Sequence, residues 1–373
     1  MKILSAGPTS ISKEVMAEMG KIHTNPDLDP NYTKFHRNVE KKIAKILNTE
    51  QTTFLMLGEA IMGLEAAVIN IVDRGDRVLV LHNGYFGKGF SEYVENVGAT
   101  PVELKFDYRR GIDIEKLREY LEKDSDFKAA TFVHCETPFG ITNDIEKIGK
   151  LLNSYNILSI VDSVSGIGGE YIDFDEFKID VLIGGSQKVL SAPTGLTTIT
   201  LSERAKDEIA KKKVASYYLN FKNFYDYKDA AFAFPYTMNE NLVHAMDVAV
   251  DKVLEKDTVA LHKKYAEATR IAVEKAGLEL YAKDYFANTV TTVLLPEGFD
   301  ALKLLEKMRE RGIIISGGMA DILHSAFRIG HMGNNIDFDD FKEMFRNLDE
   351  VLEEMKVPMK GSLEEEFVKA IEK

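Results

Sequence analysis

The chain contains a single cysteine, Cys135, and this scarcity excludes two kinds of protein. One thiol cannot form an internal disulfide, and it cannot build a structural zinc site that requires several thiolates. Long hydrophobic runs are absent too, because no stretch approaches the roughly 18 uninterrupted apolar residues of a membrane span. The opening residues MKILSAGPTS have too short an apolar run for a secretory signal. The default expectation is a soluble, cytoplasmic protein.

Positive charge is also in short supply. Lys and Arg together number 47 against 60 Asp and Glu, which leaves a net charge of −13. Nucleic acids and anionic membranes both require clustered positive charge, so this balance argues against either as the main partner. A local basic pocket for a small anion is still allowed. With 373 residues, of which 45% are hydrophobic, the chain is long enough for two domains with a large core.

Short apolar runs alternate with helical patterns over the first half of the chain. Strands are expected at 53–57, 77–81, 100–104, 130–134, 158–161 and 181–183. Nearly continuous β-branched strands that alternate with helices are typical of an α/β fold, in which helices cover a largely parallel sheet. Residues 1–30 are expected to be irregular because three Xaa-Pro pairs interrupt them.

The pattern changes after a long helix expected at 259–276. Shorter strands interleaved with helices then predict a smaller C-terminal α+β domain. The predicted division is a large domain at 15–255 and a small domain at 256–373, which also includes the N-terminal segment 1–14.

Residues that follow the strands are the candidates for function, because ligands on such sheets bind at the carboxyl ends of the strands. Asp162 comes directly after one strand, although an acid there commonly caps a turn. Lys188 lies in the loop GGSQK after the next strand, although a lysine in such a loop is commonly just solvated. Gly58, Glu59 and Ala60 end the first strand and open a helix, whose free N–H groups attract anions.

These groups together match the needs of a pyridoxal phosphate enzyme. Such an enzyme requires a lysine for the Schiff base and a carboxylate that keeps the pyridine nitrogen protonated. It also requires a helix N-terminus for the phosphate and a flat side chain that stacks on the ring. All four kinds of group are available at the predicted carboxyl edge of the sheet.

With these groups in these positions, the chain resembles the class V, fold type I aminotransferases, and it is most similar to the alanine–glyoxylate and serine–pyruvate branch. The resemblance runs from Ala6-Gly7-Pro8 to the segment FRIG at 327–330. Its most specific parts are VDSVSGIGG at 161–169, GSQK at 185–188 and APTG at 192–195. The spacing of Asp162 and Lys188 also fits that branch.

The resemblance implies roles for three residues in particular. Lys188 would form the internal aldimine with pyridoxal 5′-phosphate and then move a proton between Cα and the C4′ carbon of the cofactor. Asp162 would pair with the pyridinium nitrogen. Arg328 would bind the α-carboxylate of the substrate, since a guanidinium suits a planar carboxylate. The alternative for Arg328 is an interdomain salt bridge.

Four further side chains are implied to contact the cofactor. Phe86 would stack on the ring, although an aromatic residue there could equally belong to the core. Thr137 would contact the O3′ oxygen, and Gln187 would reach the phosphate. Thr237 resembles the residue that reaches the phosphate bound by the partner subunit, which implies a homodimer with its active sites at the subunit interface.

Two departures from the family pattern are visible. Glu59-Ala60-Ile61 stands where the family usually has a Ser-Gly-His or Ser-Gly-Thr turn against the phosphate. A carboxylate is unfavourable there unless Glu59 turns away or is paired, but the backbone N–H groups of the turn, helped by Gln187 and Thr237, still provide donors for the phosphate. Phe234 stands where a tyrosine is common. Both changes are compatible with a subgroup that has its own substrate.

The activity that the resemblance implies is amino-group transfer from a small L-amino acid, such as alanine or serine, to a small 2-oxo acid, such as glyoxylate or pyruvate, by a ping-pong mechanism. A phosphonate- or phosphoserine-type transaminase is an alternative that requires further cationic groups, for which His324, His331 and Arg309 are available.

A lyase and a non-catalytic binding protein are both disfavoured by particular residues. A cysteine desulfurase or related lyase would have His in place of Gln187 and a cysteine late in the chain, whereas none follows Cys135. A non-catalytic binding protein would have no reason to retain Lys188, Asp162 and Arg328 together.

Overall fold

The computed structural model describes residues 1–225 and 234–372. The strands are β1 (Lys2–Ile3), β2 (Thr52–Leu57), β3 (Arg77–His82), β4 (Thr100–Lys105), β5 (Ala129–Val133), β6 (Cys135–Glu136), β7 (Ile141–Thr142), β8 (Leu158–Asp162), β9 (Val181–Gly185), β10 (Leu196–Leu201), β11 (Glu279–Leu280), β12 (Thr291–Leu294), β13 (Ile313–Ile314), β14 (Ser316–Gly317) and β15 (Ala326–Ile329). The α-helices are α1 (Lys13–Met19), α2 (Pro30–Ile46), α3 (Ala60–Ile71), α4 (Tyr85–Asn96), α5 (Ile114–Leu121), α6 (Ile145–Ser154), α7 (Glu203–Ala210), α8 (Lys222–Tyr225), α9 (Glu240–Leu254), α10 (Thr258–Lys275), α11 (Ala301–Glu310), α12 (Phe338–Glu354) and α13 (Leu363–Ile371).

The largest sheet has seven strands in the order β2-β10-β9-β8-β5-β3-β4. Only β10 runs against its neighbours, so β2, β9, β8, β5, β3 and β4 all point the same way. The carboxyl ends of these parallel strands therefore meet at one edge of the sheet, where the candidate residues were expected.

Helices cover both faces of this sheet, as the residues of β3 show. Val78 and Val80 pack in one hydrophobic cluster with residues of α3 and α4. Leu79 and Leu81 point to the opposite face and pack with residues of α5 and α6. Because successive side chains of a strand alternate between faces, a strand that is apolar throughout must be covered on both. The expected α/β class is confirmed.

A second sheet, in the order β11-β12-β15-β14, is antiparallel throughout. Helices α10 to α13 contribute to its core, in which four phenylalanines are fully buried: Phe327, Phe341, Phe345 and Phe367. Strand β1 pairs in parallel with β13, which attaches the start of the chain to this C-terminal part. The domain boundaries at 14/15 and 255/256 stay predictions.

The structure contains several elements that were not predicted from the sequence, among them α1 and β10. Residues 1–30 are not irregular throughout, because Ser12 caps α1 by accepting a hydrogen bond from the Val15 N–H. Strand β10 was not predicted, although its β-branched threonines and isoleucine favour a strand. All three threonines are buried. Hydrogen bonds of the Thr197 and Thr200 hydroxyls offset the cost of burying those two, whereas the Thr198 hydroxyl has no partner in the described structure. Within the described ranges, no helix combines the length and the apolar character needed to span a bilayer.

Candidate active site

Asp162 is the last residue of β8 and pairs in register with Ile183 of β9, the strand that leads into the loop carrying Lys188. Its side chain is 6% exposed, and Oδ1 accepts a hydrogen bond from the Val164 N–H at 2.9 Å. Burial raises the pKa of Asp162 to about 6, and the nearby Lys188 only partly opposes this shift. A protonated ring nitrogen is the kind of cationic partner that this buried acid lacks.

Lys188 is covered by the N-terminal segment of the chain. Its Nζ donates a hydrogen bond to the Ala6 carbonyl at 3.0 Å, and the Thr9 hydroxyl donates to the Lys188 carbonyl at 2.9 Å. Gly7 has a φ of +102°, and a Cβ atom there would lie 2.5 Å from Cδ of Lys188, so the close approach requires glycine. Burial, together with the positive charge of Arg328, lowers the pKa of Lys188 and so favours its neutral, nucleophilic form.

Arg328 projects from β15 toward the same region. Its Nε donates to the Gly317 carbonyl at 2.6 Å, and one terminal nitrogen donates to the Thr137 carbonyl at 3.3 Å. Burial lowers its pKa to about 10. No carboxylate in the described part of the chain forms an ion pair with this guanidinium, so the salt bridge considered as its alternative role is not found there. A buried cation without a counterion suits an anionic ligand.

Glu59 lies in the turn that was expected to bind the phosphate. It caps α3, where Oε2 accepts a hydrogen bond from the Ile61 N–H at 2.9 Å. Its Oε1 accepts from Nε2 of Gln187 at 2.6 Å. The sequence required that Glu59 either turn away from the phosphate or be paired. It is paired, and its partner is Gln187, the side chain that was expected to reach the phosphate.

Comparison with known proteins agrees with this geometry. The family profile described as aminotransferase class V matches residues 3–334. The chain belongs to the class V aminotransferases.

Curated relatives of this class V aminotransferase cover most of its length. An uncharacterized aminotransferase of Methanocaldococcus jannaschii is 36% identical over 89% of this chain and 87% of its own. A pyridoxamine–pyruvate transaminase of Mesorhizobium japonicum is 31% identical over 88% of this chain and 86% of its own. A serine–glyoxylate aminotransferase of Arabidopsis thaliana is 30% identical over 88% of this chain and 84% of its own.

Solved structures of the same class superpose closely. Ureidoglycine–glyoxylate aminotransferase from Bacillus subtilis has a TM-score of 0.94 at 26% identity and covers 100% of this chain and 98% of its own. Pyridoxamine–pyruvate aminotransferase from Mesorhizobium loti also has a TM-score of 0.94, at 28% identity, and covers 100% of this chain and 97% of its own. The fold type I architecture implied by the resemblance is confirmed.

Membership of this class implies pyridoxal 5′-phosphate as cofactor, and the two ends of the site fit it unequally. The ring end fits, because a buried acid, a lysine of lowered pKa and an unpaired arginine converge there. The phosphate end does not fit as it stands, because Glu59 already accepts the hydrogen bonds of Gln187 and of the α3 N-terminus. The Oε1 atom of Gln187 is buried without a hydrogen-bond partner in the described structure.

Phe86 lies in the first turn of α4, half-buried, and its stacking role stays a prediction. Sequence reasoning missed the residue behind it, Glu136, which is fully buried and hydrogen-bonded to the backbone of this turn. Burial raises the pKa of Glu136 to about 7. The available signal was a glutamate inside a buried run, directly before the predicted cofactor residue Thr137.

Thr237 lies at the surface of the protomer, and its hydroxyl donates to Oδ2 of Asp27 at 2.7 Å. Its predicted contact is with the partner's cofactor and stays a prediction. Phe234, the residue that replaces a common tyrosine, is buried, with its ring centroid 4.6 Å from that of His36. The Phe234 ring therefore packs within the protomer.

The cationic residues considered for a second anion do not come together. His331 is fully buried with both ring nitrogens hydrogen-bonded, and burial lowers its pKa to about 3. His324 lies 3.2 Å from Asp300 at the start of α11, whereas the exposed Arg309 lies in the last turn of that helix. The phosphoserine-type alternative receives no support from these three residues.

Cys135 is a buried thiol, and its Sγ lies 3.3 Å from Oγ1 of Thr289. Burial raises its pKa, which disfavours the reactive thiolate. A cysteine desulfurase from Thermococcus onnurineus shares the fold, with a TM-score of 0.73, but only 13% of the residues. Cysteine desulfurase activity therefore remains disfavoured as the function of this chain.

Proposed function

We propose that this class V aminotransferase moves an amino group from a small L-amino acid, such as alanine or serine, to a small 2-oxo acid, such as glyoxylate or pyruvate. The observation that carries the proposal is the convergence of three groups: the buried acid Asp162, the Lys188 amine of lowered pKa, and Arg328 without a carboxylate partner. The names of the relatives support this substrate class, since serine, alanine and L-aspartate are paired with glyoxylate in them and pyridoxamine is paired with pyruvate.

Each of the three groups has a distinct task in that reaction. A pyridoxal ring supplies an electron sink for the charge that develops at Cα. Arg328 binds the substrate carboxylate and fixes the Cα–H bond toward Lys188. The neutral Lys188 amine takes the Cα proton and delivers it to C4′. Asp162 holds the proton on the ring nitrogen, and its burial excludes water that would compete for that proton.

We further propose that the active unit is a homodimer in which Thr237 reaches the neighbouring active site. Apolar side chains around the site support this arrangement, because Ile61 in α3 is 48% exposed and Tyr85 in α4 is 50% exposed in the single protomer. A partner subunit that covered these two side chains would remove their apolar surface from water. Sedimentation equilibrium tests the proposal, and a monomer that remains fully active would reject it. The cytoplasmic location stays a prediction.

The decisive experiment follows the visible absorption of the purified protein loaded with pyridoxal or its phosphate. Alanine, serine, aspartate and glutamate are added separately, and glyoxylate or pyruvate is added afterwards. A band that one donor removes and one acceptor restores demonstrates both half-reactions. Lys188→Ala is expected to abolish turnover, whereas Lys263→Ala, at an exposed position on α10, is expected to retain it. Near-normal turnover in Lys188→Ala would reject the assignment.

A further inference from the structure

The phosphate end of the site carries negative charge of its own. We propose that Glu59 makes the site selective for a pyridoxal ring that bears the 5′-alcohol, and against the 5′-phosphate. The proposal rests on the proposed function, because it concerns the ring that reacts at Lys188. It names the chemical form of that ring and the residue that selects it.

The first argument is that the two side chains predicted to bind the phosphate, Gln187 and Thr237, each donate to a carboxylate of this chain, as does one backbone N–H at the start of α3. Glu59 accepts from the Gln187 amide at 2.6 Å and from the Ile61 N–H at 2.9 Å. Asp27 accepts from the Thr237 hydroxyl at 2.7 Å. A fully ionised phosphate can accept hydrogen bonds but cannot donate them. To bind here it would have to displace a carboxylate from these three donors.

The second argument is electrostatic. A helix N-terminus attracts negative charge, and at α3 the side chain of the N-cap residue already places a carboxylate there. No Lys, Arg or His in the described ranges forms a close ion pair with Glu59, although Lys188 is near enough to interact with its charge. A phosphate brought to this turn would face a carboxylate that has no directly paired cation, and like charges that are close together repel.

The third argument comes from the amide of Gln187. A carboxylate can only accept, so the amide nitrogen of Gln187 must face Glu59, and this fixes the direction of the oxygen. That oxygen is buried, in a residue only 4% exposed, and it has no hydrogen-bond donor in the described structure. A 5′-hydroxyl group has a proton to donate to Gln187 or Glu59. A phosphate dianion has none.

One consequence concerns how firmly the ring is held. Without the phosphate contacts, the amine form of the ring, which has no covalent bond to Lys188, is retained by Asp162, Phe86 and neighbouring contacts alone. It is therefore expected to exchange with free ring in solution, whereas a phosphate-anchored ring would stay bound through dialysis.

The test is a binding titration that needs no turnover. The protein, freed of any ring by dialysis, is titrated with pyridoxal, pyridoxamine and their 5′-phosphates by absorbance and calorimetry. We expect the non-phosphorylated forms to bind roughly 10-fold to 100-fold more tightly than the phosphorylated ones. Glu59→Ser is expected to reverse that order by strengthening binding of the 5′-phosphates, and Glu59→Gln, which keeps the size and removes the charge, should move in the same direction.

Glu50→Gln, at an exposed position before β2, is the matched control and should leave the preference unchanged. Circular dichroism shows whether each variant is folded. If Glu59→Ser does not fold, the ring preference of Glu59→Gln tests the proposal. Equal or tighter binding of the 5′-phosphates to the unaltered protein would overturn the inference, as would phosphate-bearing ring that survives dialysis. The proposed function fails separately, if every ring form binds but none exchanges an amino group with amino or oxo acids.

Discussion

The Glu136 carboxylate accepts hydrogen bonds from the backbone N–H groups of Phe86 and Gly87, at 3.2 and 2.6 Å, in the first turn of α4. Glu136 itself follows β5 and is 0% exposed. Gly84 makes this approach possible, since any Cβ atom there would collide with the Glu136 side chain. The carboxylate therefore ties the loop that carries Thr137 to the helix that carries Phe86, so that both predicted ring contacts depend on one buried acid.

Glu136→Ala is expected to weaken ring binding and to lower the free energy of unfolding by about 2 kcal/mol, because two N–H groups at the start of α4 lose their acceptor. Urea denaturation gives the stability change, and titration with pyridoxal gives the affinity. Glu95→Ala, at an exposed position on the same helix, is the control and should change neither. Unchanged ring affinity in Glu136→Ala would show that the acid does not position Phe86.

Arg328→Lys is expected to raise the KM for the amino acid by roughly 10-fold to 100-fold, because lysine loses the planar, bidentate contact with a carboxylate. Steady-state kinetics with the donor identified by spectroscopy measures this change. Arg309→Lys, exposed in the last turn of α11, is the matched control. A KM that does not change would return Arg328 to a structural role, in which it only joins β14 and the Thr137 loop.

Asp162→Asn is expected to retain some ring binding but to lower kcat by about 100-fold or more, because a neutral amide does not hold the proton on the ring nitrogen. The pKa of Asp162, raised to about 6 by burial, sets the pH dependence. The carboxylate form predominates above that pH, so binding of the protonated ring should weaken as the pH falls below about 6. The asparagine variant should lack this step in a titration from pH 5 to 8, and the same step in both proteins would contradict the assignment.

The burial of Glu170 is expected to make the stability of the protein depend on pH, independently of catalysis. Its carboxylate accepts from the backbone and side-chain nitrogens of Asn288 at 2.6 and 2.7 Å, and burial raises its pKa to about 7. An acid with a raised pKa stabilises the folded state while it is protonated. This contribution is complete below the unfolded pKa near 4.5 and is lost as the pH rises through about 7.

Glu170→Gln removes that titration, and Asn288 can rotate its amide to accept from the new side chain. The stability of the unaltered protein relative to Glu170→Gln should therefore fall between about pH 4.5 and 8, by about 3 kcal/mol. Urea unfolding of the ring-free proteins at several pH values measures it. The exposed Glu95→Gln is the control, and a difference that is constant with pH would count against the buried, protonated Glu170.

The sequence allowed prediction of the site residues that follow buried strands, but not of the residues that support them through hydrogen bonds. Asp162 and Lys188 could be proposed because each comes after an apolar run, and the pairing of β8 with β9 brings the ends of those runs side by side. Glu136 also follows such a run, but nothing in its neighbours shows that it faces the N-terminus of α4. Strand β10 was not predicted, although its β-branched residues are typical of a strand and the sheet buries all six of its residues.

The sequence by itself determined which chemical groups stand at the carboxyl ends of the strands, and that one of them, Glu59, carries the wrong charge for a phosphate. Apolar periodicity and strand-end residues are local properties, and a single sequence displays them directly. The tertiary structure decided which side chains form hydrogen bonds with one another. Glu59 and Gln187 are 128 positions apart, and Arg328 and Thr137 are 191 positions apart. Such pairs form only within about 3 Å, and that distance is set by the register of strands that are remote in the chain.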